Sequence, residues 1–387
     1  MVMPGLQKAA DNKIKVLHLL HTYLPEVSGV ALNTYAILKE LARNAHIECV
    51  VFAPFPKKCA DEGYQVPHKI IRYHRLPFKR FLFASVLLMQ LLAAYRKERF
   101  HILHCHGPEQ IYVGSLFKKI IPSVRTIGMF RNDRMFKGKA SKVHRLRVGL
   151  RRMERIVSIS PVITKMLLEE SKDLGEKIAD IPLGIDLNLY RGVEAANAGE
   201  RYIIYLGRLV GGKRVDVLLR AFALVRQHAP DLCLYILGDG PQRMQLQALG
   251  TDLGIDDATR FKGFTTGARK ISLLKGAELL AFPSDSGEGF PGVLLEAFAC
   301  DKIVVANDYA AAKVLIRHGQ TGFIYDQNAP ERLAAAIRNV LDNREAIVRE
   351  MIPAVRIEIA NYAVEKVAEA YRVLYEGLMA GGREGQP

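Results

Sequence analysis

At 387 residues, 49% of them apolar, the chain is long enough for two domains with separate cores. Its five cysteines (Cys49, Cys59, Cys105, Cys233 and Cys300) are scattered, odd in number and without a C-x-x-C pair, which argues against a disulfide framework and a thiolate metal site. The net charge of +15 lies in the first half: residues 1–190 hold 31 Lys and Arg against 16 Asp and Glu, whereas 191–387 hold 24 against 24.

The opening MVMPGLQKAADNK has no apolar run behind its charges, so it is not a secretory signal and the protein is expected in the cytoplasm. Short β-branched or apolar runs then alternate with helical patterns, the signature of parallel sheets covered by helices. In the first half the strand candidates are 14–20, 47–52, 102–105, 124–128 and 155–159. The segment FLFASVLLMQLLAAY (81–95) is too short to span a bilayer. It reads as a helix packed on the first sheet or as one lying on lipid.

A polar, alanine-rich stretch at 191–201 precedes RYIIYLG, where the pattern restarts. Strands are expected at 201–207, 232–237, 259–263, 278–282, 302–306 and 322–325, with helices including 214–228, 292–300 and 330–342. An amphipathic run, 361–380, follows the last strand and can cross back to the first domain. The expected division is 1–188, 189–360 and a C-terminal helix in 361–387: two Rossmann-like, doubly wound α/β domains facing a cleft.

Site residues are sought at the carboxyl ends of strands, where ligands of such folds bind. The segment PSDSGEGFPGVLLEAFACDKIVVAND (283–308) follows a strand. Pro291 suits the first position of a helix, and N–H groups around Phe290, Gly292 and Val293 face the ligand edge with positive dipole. Glu288 in the loop and Glu296 one turn into the helix can accept from two hydroxyls of one sugar nucleotide. Strand 201–207 runs into Arg208 with Lys213 in the same loop, a pair of cations suited to a pyrophosphate. LGDGP (237–241) sets Gly238 where backbone must approach a ligand or a helix closely. In the first half, Pro25-Glu26-Val27-Ser28-Gly29 precedes a helix whose start can meet a phosphate at Gly29. His104 and His106 share a strand face, but no carboxylate or further histidine stands at ligand spacing in the sequence. His106, at the strand end, is expected to point into the cleft as a hydrogen-bonding group, and His104 to be packed.

Taken together these segments resemble the family 4 retaining glycosyltransferases of the GT-B fold. The likeness runs through PEVSGV (25–30), HCHGP (104–108), SISPVI (158–163), PLGID (182–186), YLGRLVGGK (205–213), ILGDGP (236–241), FKGF (261–264) and Glu288 with Glu296. The resemblance implies a nucleoside-diphosphate sugar donor, retention of anomeric configuration and no metal or other cofactor. It implies that Arg208 and Lys213 neutralise the diphosphate and that Glu288 holds sugar hydroxyls. Glu296 would accept from the ribose, and Gly29, Gly238 and the amides of 290–293 would contact the donor. His106 would line the sugar site. The leaving diphosphate would deprotonate the acceptor, so no nucleophile is assigned. Two departures bear on donor choice and competence. Ser28 stands where the family usually has a second glycine, and NDYAAAKV (307–314), with Ala310, Ala311 and Lys313, stands where Gly-Gly and a carboxylate are frequent.

The expected activity is transfer of a hexose-type sugar from a UDP- or GDP-sugar to a saccharide or lipid-linked acceptor, for cell-surface polysaccharide or lipopolysaccharide. The basic half is expected to meet an anionic membrane surface. Alternatives are a sugar-nucleotide epimerase, which needs no acceptor, and an inactive sugar-nucleotide-binding protein. A phosphorylase would need a Lys-bound pyridoxal phosphate, for which no site is evident. No nucleic-acid module is present, and nucleic acid is not an expected partner.

Overall fold

The structure is a computed structural model that describes residues 13–56, 64–75, 82–131, 133–136, 139–197, 199–285, 289–326 and 329–381. It divides into two units. The first runs to Gly184 and resumes at Val364, and the second is Ile185–Ala363.

The first unit is built on seven parallel strands: β1 (Ile14–Leu20), β2 (Ile47–Pro54), β3 (Lys69–Tyr73), β4 (Ile102–His106), β5 (Arg125–Phe130), β6 (Arg155–Ser158) and β7 (Ile178–Asp180). Their order is β3-β2-β1-β4-β5-β6-β7. The central strands are apolar runs buried on both faces, as a helix-covered parallel sheet requires. β3 and β7 were not expected from the sequence. KIIRY buries only its last residue and IAD none, so neither edge strand shows the continuous apolar signal of a central one.

The helix Phe83–Glu98 buries Leu87, Leu91 and Ala94 and packs on the helix Pro108–Ile120. Its Met89 remains exposed, and no helix among the described residues is long and apolar enough to cross a membrane. The helix Val364–Ala380 belongs to this unit, lying on the helix Gly29–Leu41 with Tyr371 and Tyr375 buried. Gly184 meets Val364 and Val367 so closely that an added Cβ would stand 3.3 Å from each.

The second unit has six parallel strands: β8 (Tyr202–Leu206), β9 (Cys233–Leu237), β10 (Thr259–Gly263), β11 (Leu280–Phe282), β12 (Val304–Asn307) and β13 (Phe323–Tyr325). Their order is β10-β9-β8-β11-β12-β13. The helices Val215–Arg226 and Pro330–Asp342 pack together over this sheet, with Leu218, Phe222, Leu333 and Ile337 fully buried in one core. A helix over Arg344–Ile359, absent from the sequence expectation, carries Pro353 in its interior, where proline normally signals a break.

Both sheets reverse direction of strand order beside their first strand, between β1 and β4 and between β8 and β11. Neighbouring loops diverge at such a point and leave a crevice at the carboxyl edge, so each unit has one place where a ligand is expected.

Candidate active site

In the second unit, the loops after β8 and β9 are joined at the carboxyl edge by three backbone bonds. Gly207 N donates to Leu237 O at 3.0 Å, Leu209 N to Asp239 O at 3.0 Å, and Gln242 N to Leu209 O at 3.2 Å. This seam demands glycine. Gly238 has φ +149, and a Cβ there would lie 1.8 Å from Gly207 O; one on Gly240 would lie 2.4 Å from Leu209 O. Within the protein, the close approach at Gly238 is to the neighbouring loop rather than to a helix.

Leu209 is fully buried and pins the loop, while Arg208 beside it stays exposed; the Tyr205 hydroxyl donates to Arg208 O at 3.1 Å. Lys213 ends a single tight turn, Gly211–Lys213, with its ammonium 5.8 Å from the centre of the Phe282 ring. The loop after β11 is tied to that turn: Ser284 Oγ and Asp285 N both donate to Gly212 O, at 3.1 and 3.2 Å. Arg214 was not singled out from the sequence. It takes a left-handed conformation (φ 49) and pairs with Asp285 at 3.0 Å and Asp216 at 3.4 Å, and the bond to Asp285 foremost raises its pKa. Asp285 is 71 residues away in sequence, so spacing carries no signal of this pair.

Glu288 lies outside the described residues. Pro291 is the N-cap, not the first helical residue as expected, of the helix Gly292–Ala299. Phe290 is buried, its ring 5.5 Å from that of Tyr362, which sets the entry of the chain into the helix. Gly292 and Val293 are partly exposed in the first turn, where N–H groups have no acceptor within the helix. Glu296 is partly exposed one turn on, and the Lys270 ammonium lies 2.8 Å from its Oε2. The structure thus places Arg208, Lys213, Gly238, Phe290, Pro291, Gly292, Val293 and Glu296 on the loops and helix that follow β8, β9 and β11. The sequence departure after β12 is also accounted for locally. Lys313 pairs with Asp308 at 2.6 Å, and Ala311 is fully buried.

In the first unit, Ser28 caps the helix Gly29–Leu41, its Oγ accepting from Ala31 N at 3.1 Å, a role a second glycine could not fill. A Cβ on Gly29 would meet nothing within 4 Å, so no protein neighbour requires glycine there. His106 departs from expectation. It is 3% exposed rather than open, and both ring nitrogens are engaged. Arg131 Nη2 stands 3.2 Å from Nδ1, and His18 Nδ1 stands 3.1 Å from Nε2.

A guanidinium can only donate, so His106 Nδ1 accepts, its proton sits on Nε2, and it donates to His18. His104 is packed as expected, its Nδ1 2.9 Å from the Tyr375 hydroxyl and its ring stacked 4.3 Å from His106. Burial pushes the His18 pKa down to about 3 and those of His104 and His106 well below the usual range, so all three rings are neutral.

The sequence reading found no third ligand beside His104 and His106, yet His18 pairs in register with His104 across β1 and β4. Among the described residues, His18, His104 and His106 have nitrogens within 4.8 Å of one another. The trio fits a metal poorly. Two of its nitrogens bond each other, and the Arg131 cation stands against His106, where a metal ion would be repelled.

Two family models match this chain consecutively, Glycosyltransferase Family 4 over residues 27–189 and Glycosyl transferases group 1 over 188–356. Among curated relatives, the D-inositol 3-phosphate glycosyltransferase of Thermobispora bispora is 25% identical over 293 residues, 68% of each chain. The phosphatidyl-myo-inositol mannosyltransferase of Mycobacterium tuberculosis is 27% identical over 304 residues, 74% of this chain and 76% of that one. Among solved structures, Anabaena Alr3699/HepE, in complex with UDP and glucose, superposes with a TM-score of 0.78 at 17% identity, covering 94% of this chain and all of the other. With the two Rossmann-like sheets and both family models in place, the chain belongs to the family 4 glycosyltransferases of the GT-B fold.

Proposed function

We propose that this glycosyltransferase transfers a hexose-type sugar from a UDP- or GDP-sugar to a saccharide or lipid-linked acceptor. The reaction retains anomeric configuration and needs no metal, and it serves cell-surface polysaccharide or lipopolysaccharide synthesis at the inner face of the membrane. The observation that carries the donor assignment is the bonding of Ser284 Oγ and Asp285 N to Gly212 O. It holds the loop of Arg208 and Lys213 beside the segment that leads into the helix Gly292–Ala299, at the β8/β11 reversal. Two cations and a helix start then serve one diphosphate, and Glu296, oriented by Lys270, accepts from a ribose hydroxyl. The open space at Gly29 leaves room for a phosphate to approach the other helix start.

A UDP complex of a structural neighbour supports a uridine donor, and a relative named for phosphatidyl-myo-inositol supports a lipid-linked acceptor. The excess of 31 basic over 16 acidic residues in 1–190 supports an anionic membrane surface. As the bond from the anomeric carbon to the diphosphate breaks, negative charge develops on the diphosphate where Arg208 and Lys213 stand, so both are worth more in the transition state than in the ground state. The acceptor oxygen bonds to that carbon, and its proton passes to the departing diphosphate.

The test is a thermal-shift screen of UDP, GDP, ADP and their sugars, since a ligand bound only by the folded state raises the melting temperature. UDP or GDP should give the largest shift. Arg208→Ala and Lys213→Ala should each weaken that binding by roughly 10- to 100-fold, the value of a hydrogen bond to a charged group, without lowering the ligand-free Tm. Undiminished shifts in both variants would refute the diphosphate site.

A further inference from the structure

Just past the carboxyl end of β5 the Arg131 side chain carries a positive charge that no carboxylate among the described residues matches. Its Nη2 donates to Thr34 Oγ1 and to His106 Nδ1, each at 3.2 Å. Its Nε is enclosed and bonded to nothing, and Nη1 bonds to no described residue. Among the described residues no carboxylate pairs with it; Glu109, at the start of the helix after β4, is turned to Lys142 at 3.8 Å. Burial draws the Arg131 pKa down to about 10, which leaves the group charged at neutral pH.

The surroundings orient this cation without neutralising it. Thr34 and His106 both accept from one guanidinium nitrogen, and His106 is itself fixed by its bond to His18. The three imidazoles are neutral, so they supply dipoles and no counter-charge. A partly buried cation whose Nε is enclosed without a partner is stabilised when an anion joins it. A neutral saccharide hydroxyl would leave the charge uncompensated, whereas an oxyanion matches the planar fork of donors.

We propose that Arg131 anchors an oxyanion subsite at the β1-β4-β5 edge of the first unit, which takes a phosphate or carboxylate group carried by the acceptor. The proposal rests on the reading of the first unit as the acceptor side, and it narrows the acceptor to an anionic one.

The experiment titrates inorganic phosphate, and separately acetate, into the full-length protein with UDP saturating and chloride matched for ionic strength. Stability is read by thermal shift. Saturating UDP occupies the diphosphate loop, so the remaining response reports the other unit. Wild type should be stabilised by at least one of the two anions, which also tells phosphate from carboxylate. Arg131→Met, uncharged and of similar length, should weaken that response by about tenfold or more while keeping its UDP shift. Arg131→Lys, which keeps the charge and loses the fork, should fall between them.

An equal response in wild type and Arg131→Met overturns the subsite, as does no response to either anion in wild type. Should Arg131→Met fail to fold, a response in Arg131→Lys equal to wild type overturns it as well. The donor reading is judged apart, by the UDP shift of the wild type. If that shift is absent, the same anion titrations without UDP still decide the role of Arg131.

Discussion

The carboxyl edges of the two sheets share a topology and differ in their chemistry. At the β8/β11 edge the loops are joined by backbone bonds that only glycine permits, and the charged side chains there are matched: Arg214 with Asp285, Lys270 with Glu296, Lys313 with Asp308. At the β1/β4 edge the side chains themselves fill the space. Three neutral imidazoles pack together with Tyr375 on one of them and, on another, a guanidinium that pairs with no carboxylate among the described residues. One edge is a backbone frame in which Arg214, Lys270 and Lys313 each pair with a carboxylate, and it is there, beside Arg208 and Lys213, that the donor is proposed to bind. The other is a side-chain core in which burial, and not ion pairing, sets the protonation.

The largest expected effect tests the backbone frame. Gly238→Ala drives a Cβ into Gly207 O and should cost roughly 4 kcal/mol of stability, the range reached by overpacking and backbone strain, with loss of the UDP shift. Gly29→Ala, at the helix start in the first unit, meets no protein atom and should leave stability unchanged or raised by about 0.4–1 kcal/mol. Chemical denaturation of both variants checks this. Equal losses at the two glycines would erase the distinction between the edges.

Acid tests the other edge. His18, His104 and His106 have folded-state pKa values below the ordinary one, so between pH 6.5 and about 3 the unfolded chain binds more protons than the folded one. Stability therefore rises with pH through that window and is lost as pH falls. From pH 6.5 to 5.5 the three together should remove about 3 kcal/mol, and strands β1 and β4 should lose hydrogen-exchange protection before β8 and β11. The second unit's histidines, His228 and His318, are exposed. A flat stability profile across that interval would mean that the cluster takes up protons within the fold.

Legibility in the sequence follows the same division. β1 stands where its apolar run places it, and the loops after β8, β9 and β11 announce themselves by glycine, proline and paired charges within a few residues. Such signals are local, because backbone turns depend on neighbours in sequence. The first unit's edge is made by register. His18 meets His104 only because β1 and β4 pair, 86 residues apart, and Tyr375 arrives from the last helix, 271 residues beyond His104. Arg131 likewise gives no sign in the sequence that it will meet no carboxylate among the described residues, since that is a property of what packs around it. His106 looked open for the same reason: the strand end was visible, and the three side chains that close over it were not.

The smallest expected effect asks whether that side-chain core acts as one unit. Tyr375 is fully buried and keeps its proton, since burial raises its pKa well above the ordinary value. Among the described residues its hydroxyl is the single hydrogen-bond partner of the His104 ring, whose Nε2 has none. Tyr375→Phe preserves the ring that packs the last helix on the sheet and removes only that bond. The loss of one buried hydrogen bond should cost about 1 kcal/mol, a fall in Tm of roughly 2–4 °C for a domain of this size, with the UDP shift unchanged. If instead the Tm falls much further and the acid sensitivity changes with it, the imidazoles, Arg131 and Tyr375 share their energy as a network, and the bond to His104 is felt at His106 through the stacked rings. If the Tm does not move, a water satisfies His104 in place of the tyrosine, and the first edge is held by packing alone.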